Sequence, residues 1–366
     1  MEERWILFAL HDMPNVGWDT LDLIMKQEID LRLLLENGAA ALLRGWGVSR
    51  RRAEQIEQTL TNAYVMSKLN FYYEQNISIV TWYDETYPPM LRFVYKAPWV
   101  LYVKGNVELL SQSMIAVVGT RYPTSYGRQA AEWFGAELAA AGFSVVSGMA
   151  RGIDSAAHRG ALQVNGPTVA VLGSGINVIY PPEHSELQRT IEKAGIVVSE
   201  YGWNVKPSAG TFPMRNRIIA GMSRGTLVVE AAEQSGSLIT ASYALEAGRD
   251  IFAVPGPITS PKSAGCYTLI RDGAMLATSP NVILREYGVP PREAEQPTSD
   301  GASQASVLTQ EEAEVLAVMG AERVTLDDLT ERSGRSFGHL HGVLLSLLIK
   351  QRIRALPGSA YISRLK

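Results

Sequence analysis

Between residues 113 and 290 the chain alternates between short, unbroken apolar runs and longer stretches in which apolar residues return every three or four positions. The runs are MIAVVG, FSVVSG, TVAVLG, IVVSE, TLVVEA and DIFAVPG. Between them lie SYGRQAAEWFGAELAAAG, GIDSAAHRGALQ, EHSELQRTIEKAG, RNRIIAGMS and LITASYALEAG. Continuous apolar strands separated by amphipathic helices predict a mainly parallel sheet covered on both faces. The right-handed crossover rule makes that sheet doubly wound. Residues 1–70 carry helical spacing instead, in LDLIMKQEIDLRLLL and AEQIEQTLTNAYVMSKL, around two hairpin-like turns, MPNVGWDT and RGWGVSRRRAEQI. Asp19 and Ser49 are available as helix caps there. In residues 71–112 short β-branched and aromatic runs are broken by Pro and Gly, which predicts a strand or two leading into the sheet.

The C-terminal quarter changes again. GVPPREAEQPTSDGASQAS has little to bury and reads as a linker. Beyond it, LTQEEAEVLAVMG predicts a helix capped at Thr309. TLDDLTERSGRSFGHLHGVLLSLLIKQR reads as helix, turn, helix, and RIRALPGSAYISR as a two-stranded wing. The expected organisation is a helical domain over 1–70, a sheet-bearing core over 71–288, a linker over 289–306 and a winged helix over 307–366.

Composition narrows this only slightly. The single cysteine, Cys266, excludes an internal disulfide and a Cys-based zinc site. No apolar run reaches the length of a membrane span, and acids stand where a signal peptide carries lysines, so the expectation is a cytoplasmic protein. Net charge is −3, so any polyanion site must come from placement of charge, not from its total.

Placement is informative because ligands of such sheets sit beyond the carboxyl ends of the strands. Those ends carry Gly119-Thr120-Arg121, Gly148-Met149-Ala150-Arg151, Ser174-Gly175, Glu200, and Glu230 followed by Ser235-Gly236-Ser237. The dinucleotide fingerprint is absent: VLGSGINV has two of its glycines, but Val178 stands at the third. What remains is phosphate chemistry. Gly-rich turns at helix starts expose N–H groups, hydroxyls add neutral donors, and Arg121, Arg151, Arg215 and Arg217 add planar forks. Spread over several strand ends, these donors suit a chain of phosphates better than one nucleotide. FPMRNRIIAGMSRGTLVVEA leaves two readings open: Arg215 and Arg217 line an anionic groove, or they pair internally with Glu200 and Glu230, taken as ending adjacent strands. His158, three and four residues from Ser155 and Asp154, reads as a packed helix residue. No catalytic triad or metal-ligand spacing emerges, and no cofactor is expected. The competing class is a nucleotide phosphohydrolase or phosphoribohydrolase with Glu200 or Glu230 as general base.

VVGTRYPTSYG, VVSGMARGIDSAAHRGAL, VAVLGSGINVIYPPEHSEL, FPMRNRIIAGMSRGTLVVEA, SGSLITASYALEAGRDIFAVPG and SAGCYTLIRDGA occur in that order. Together they resemble the DNA-processing protein A family (DprA, also called Smf). The resemblance implies an extended Rossmann-like core that binds single-stranded DNA, flanked by a SAM or helix-hairpin-helix-like front and a winged-helix tail. It implies loading of the RecA recombinase during natural transformation, with no enzymatic activity. The family's G-[ST]-R motif falls on Gly119, Thr120 and Arg121, and its F-P-x-R-N-R motif on Phe212, Pro213, Arg215, Asn216 and Arg217. Homodimer formation in the family points to the segment holding Cys266, Tyr267, Leu269 and Ile270. The chain departs from the family at Pro182 and His184, where many members carry a basic residue and Asn. In the tail, only Arg335 and Lys350 border the expected recognition helix, beside the acidic stretch 311–328. That predicts a protein-contact module better than a duplex reader.

Overall fold

The computed structural model describes residues 1–290, 308–320, 322–350, 352–356 and 360–363; the expected linker falls almost wholly outside them. Five helices open the chain: α1 (Glu3–His11), α2 (Trp18–Met25), α3 (Ala39–Gly45), α4 (Arg50–Thr59) and α5 (Asn62–Glu74). Gly17, not Asp19, caps α2, and Asp19 sits in its first turn, where it accepts from Lys96 Nζ at 2.7 Å. Ser49 occupies the cap position of α4 without a side-chain hydrogen bond. Of the arginine run, Arg50 pairs with Glu54 and Arg52 donates to Thr20 Oγ1, tying α4 to α2.

Two antiparallel strands follow, β1 (Ser78–Thr81) and β2 (Val100–Gly105). They join one edge of the main sheet, as β2 pairs antiparallel with β6. The rest of that sheet is parallel: β3 (Met114–Val118), β4 (Ser144–Ser147), β5 (Thr168–Leu172), β6 (Ile196–Ser199), β7 (Gly225–Val228), β8 (Asp250–Ala253) and β9 (Met275–Leu276). The order is β1-β2-β6-β5-β4-β3-β7-β8-β9. The chain winds outward from β3 to β6, then returns to place β7 on the other side of β3. The β3/β7 boundary is thus the topological switch point, where a doubly wound sheet opens a crevice.

Side chains of β3 alternate between two cores. Ile115 and Val117 pack under α6 (Ser125–Ala140), α7 (Ile153–Gln163) and α12 (Pro280–Glu286). Ala116 and Val118 pack under α9 (Thr211–Met222), α10 (Gly236–Glu246) and α11 (Ala264–Arg271). The opening helices and α8 (Ser185–Ala194) share a third core with Tyr102, Ala170, Leu172 and Val197 of the sheet. His158 is a packed helix residue: its Nδ1 meets Thr168 Oγ1 at 2.7 Å, and burial depresses its pKa to about 3.

The tail comprises α13 (Gln310–Met319), β10 (Val324–Thr325), α14 (Leu326–Ser333), α15 (Phe337–Ile349), β11 (Ile353–Leu356) and β12 (Ala360–Ser363). Thr309 and Glu312 form a reciprocal capping box on α13. The wing has three strands in the order β10-β12-β11, one more than the two expected.

Candidate nucleic-acid interface

The loop after β3 carries Gly119-Thr120-Arg121. Glycine is required at 119, because a Cβ there would lie 2.6 Å from Ile153 Cγ1 and 2.9 Å from the Glu230 carbonyl. Thr120 N donates to Glu230 O at 2.8 Å, and Ile153 N donates back to Thr120 O at 3.2 Å. The turn is therefore stapled to the ends of β7 and α7, and Arg121 is thrown outward. Its guanidinium lies 5.5 Å from the Phe212 ring centroid, with no carboxylate partner among the described residues. Phe212 in turn packs against Tyr180, centroids 5.3 Å apart.

Beyond β7 the chain passes through Ser235, whose hydroxyl caps α10 and meets Ser237 Oγ at 2.8 Å. The start of α10 faces a cavity of about 820 Å³ at the switch point. Gly119, Thr120, Arg121, Phe212, Arg215, Asn216, Ser235, Gly236 and Ser237 all border this cavity, as do Tyr122, Tyr180, Asp154 and the 207–209 loop. A recess of about 30 Å³ continues from it toward Gly148, Arg151 and Ser174.

The two arginines of the FPMRNR segment part company. Two residues on an α-helix differ by roughly 200° around its axis, so both side chains cannot face one cavity. Arg215 turns to the cavity floor. Its Nη1 donates to Gly148 O at 2.6 Å and to Val171 O, and its Nε to Asn216 Oδ1 at 3.2 Å. These bonds leave Nη2 without an acceptor among the described residues. Burial pulls the Arg215 pKa down to about 10, so it stays charged at neutral pH. Asp154, buried beside it, accepts from Ala150 N at 3.3 Å; burial raises its pKa while Arg215 opposes the shift. Arg217 faces inward. It is 1% exposed, and its Nη2 donates to Glu200 Oε1 at 2.6 Å and Oε2 at 2.8 Å. It does not border the cavity.

Other expected groove residues are also redirected. Gly175 N donates to Val205 O at 2.7 Å, and a Cβ at 175 would lie 2.4 Å from Gly202 O, so this glycine serves loop packing. Ser174 is nearly enclosed: its hydroxyl donates to Val178 O at 3.1 Å and it reaches only the recess. Arg151 is paired with Glu183, but both are about half exposed, so the pair is screened and exchanges cheaply for another anion.

Glu200 and Glu230 do not end adjacent strands. β6 and β7 are separated by β5, β4 and β3. Glu200 is committed to Arg217. Glu230 receives Thr124 N at 2.8 Å and the Thr124 hydroxyl, closing the N-terminus of α6. A Cβ on Gly127 would lie 2.3 Å from its carboxyl carbon, so the acid has been built into the helix start. Neither carboxylate is placed to activate water in the cavity.

On α11, Cys266 is fully buried, with its Sγ 3.7 Å from Val228 O, and burial pushes its thiol pKa up to about 12. It cannot form part of a surface. Tyr267, which donates to Gly256 O, is half-buried, as are Leu269 and Ile270, with Ile258 almost fully exposed in the preceding loop. Among the described residues no helix is long and apolar enough to cross a membrane, and no cluster of His, Cys, Asp and Glu is arranged to hold a metal ion.

Sequence logic missed Asp154 as a cavity residue, along with Tyr122, Tyr180 and the 207–209 loop. Asp154 was visible only as a residue of the His158 helix. Tyr180 precedes two prolines, a loop signal that says nothing of which way its ring points.

Comparison with known proteins places the chain among relatives. Residues 78–288 match the family model described as DNA recombination-mediator protein A, and residues 283–359 match the DprA winged helix domain. The chain is 39% identical to Protein Smf of Escherichia coli over 322 residues, covering 87% of this chain and 86% of that protein. It is similar to the solved structure of DNA processing protein A from Streptococcus pneumoniae, with 36% identity, a TM-score of 0.68, and coverage of 77% of this chain and 97% of that one. A second solved structure, of DNA processing protein A from Helicobacter pylori, described for its single-stranded DNA binding mode, aligns at 28% identity and a TM-score of 0.53. It covers 58% of this chain and 95% of that one. With the family model spanning more than half the chain and a relative matched over nearly its full length, this protein belongs to the DNA recombination-mediator protein A (DprA/Smf) family.

Proposed function

We propose that this protein is a recombination mediator that binds single-stranded DNA at the switch-point cavity, protects the incoming strand during natural transformation, and loads RecA onto it. The observation that carries the reading is Arg121: an exposed guanidinium, without a carboxylate partner among the described residues, bordering the cavity that the start of α10 and the Phe212–Tyr180 ring pair also line. Cations and helix-start amides grip phosphates of any sequence, and aromatic faces accept any base. Membership of the family and the strand-binding relative from Helicobacter pylori support the same reading. Arg121, Arg215, Asn216, Phe212 and the Ser235–Ser237 turn form the central contacts in this proposal, with Arg151 recruited from its surface pair. Arg217 holds α9 against the end of β6.

The protein acts by binding and not by catalysis, and needs no cofactor in this reading. Both candidate bases of the hydrolase alternative are locked into structural contacts. It works in the cytoplasm as a homodimer joined near the half-buried Tyr267, Leu269 and Ile270 of α11. The test is RecA assembly on single strands precoated with single-strand-binding protein, followed with the parent and with Arg121→Ala. The parent accelerates assembly and the variant does not. Assembly unaffected by the parent, or liberation of free base from nucleoside monophosphates, overturns the proposal.

A further inference from the structure

The cavity wall between β6 and α9 is a loop whose far end is tied to the start of α9, where Ser208 N donates to Thr211 Oγ1 at 3.1 Å and Thr211 N donates back to Ser208 O at 3.2 Å. Its first half is pinned: Ile176 N donates to Tyr201 O at 3.2 Å, Asn177 and Asn204 exchange bonds of 2.7 and 2.8 Å, and Val205 O accepts from Gly175 N. Its second half carries Lys206, which has no ion pair among the described residues, and Pro207, Ser208 and Ala209, which border the cavity. A further pin comes from outside the sheet. The Tyr72 hydroxyl of α5 donates to Asp12 Oδ1 at 2.5 Å and accepts from Trp203 N at 2.9 Å. Tyr102 also donates to Asp12 Oδ1, at 3.1 Å, and Lys68 Nζ donates to the other oxygen, Oδ2, at 2.7 Å. The backbone is pressed against this cluster: a Cβ on Gly202 would lie 2.5 Å from Asp12 Oδ1 and 2.7 Å from the Tyr72 oxygen. Phe71 meets Trp203 edge-on at 5.2 Å.

A largely buried carboxylate is a poor way to dock two apolar surfaces, because desolvating it costs more than hydrophobic packing of the same volume. It is useful where one backbone group must be held in one place. We propose that Tyr72, oriented by Asp12, is a positioning residue that fixes the 203–209 wall, and so couples the N-terminal helices to strand binding. The inference rests on the cavity being the single-strand groove. A fixed wall holds a bound strand in, and the Tyr72 hydroxyl that fixes it adds no phosphate contact of its own. Loosening it therefore acts on dissociation and leaves association and the salt dependence alone.

The test uses the full chain and a thymine oligonucleotide in stopped flow, with amide exchange followed across residues 203–209. Tyr72→Phe keeps the ring contacts with Phe8 and Tyr102 and deletes only the hydroxyl. It raises the dissociation rate roughly five- to tenfold, for the lost bonds to the Trp203 amide and to Asp12, and speeds exchange in the wall. Phe71→Ala, at a partly exposed position, moves both readouts in the same direction by less. Tyr102→Phe removes another hydroxyl from Asp12, and one from His11, but leaves the Trp203 amide held, so its dissociation rate stays within about twofold of the parent. Equal dissociation rates for Tyr72→Phe and the parent overturn the inference, as does an equal rise in Tyr102→Phe. A parent that fails to bind the oligonucleotide removes the groove itself, a different and recognisable failure.

Discussion

The carboxyl edge of the sheet and the winged-helix tail both have the outline of a nucleic-acid site, and they differ in how the cations nearest the expected contact surface are held. At the sheet edge, among the described residues, Arg121 is exposed and has no carboxylate partner, and Arg215 keeps one edge of its guanidinium without an acceptor. In the tail Arg335, at the start of α15, is held by Glu314 at 2.5 Å and Glu311 at 3.4 Å, and His339 leans on the same Glu311. Lys350, at the other end, pairs with Glu312 at 2.6 Å. The outer face of α15 offers Phe337, stacked on His341, and Leu345, all exposed. Affinity for a polyanion comes from cations that trade counterions for phosphates, and a cation already paired gives little. A fold shared with DNA readers therefore does not by itself make the tail one.

This contrast can be broken in several places. The largest effect is expected at Arg217, the arginine that turns inward. Arg217→Ala strands the Glu200 charge in a buried site and should cost about 3–5 kcal/mol of stability, read by urea unfolding. A variant as stable as the parent but defective in binding would return Arg217 to the groove. Arg121→Ala should do the reverse. It leaves stability unchanged, weakens single-strand binding by roughly tenfold, and flattens the salt slope by about 0.7, one phosphate contact on a single strand. Glu230→Gln should cost about 1–2 kcal/mol, because it loses charge-assisted bonds at the start of α6. Its effect on binding should be smaller than that of Arg121→Ala at equal folded fraction. The smallest effect belongs to the tail: Arg335→Ala should change single-strand affinity by less than about twofold, as expected when a paired surface cation is removed.

Much of this was legible in the chain. The six parallel strands β3 to β8 were readable because burial on both faces makes each of them largely apolar, with only Ser, Thr, Gly or Asp interrupting. The two-residue β9 was too short to carry a pattern. The placement of β1 and β2 at the sheet's edge depends on antiparallel pairing with β6, nearly a hundred residues on, which no local signal encodes. The motifs located the cavity, since Gly119 and the Ser235 cap sit where a strand hands over to a helix. Orientation was harder to read. α9 begins at Thr211, with Pro213 inside its first turn, where the missing N–H costs nothing. Once the helix starts there, Arg215 and Arg217 diverge. Gly175 and Cys266 bear the right residue types for their expected roles, yet close backbone packing and burial assign them others.

The central claim is that free cations and amides at the sheet edge, not the tail, hold a flexible strand. Fluorescence anisotropy of the full chain with single-stranded and duplex oligonucleotides of equal length, across a salt series, tests it most directly. The account predicts strong binding of the single strand that weakens steeply with salt, and far weaker binding of the duplex. Equal affinity for both forms, or single-strand binding indifferent to salt, would contradict it.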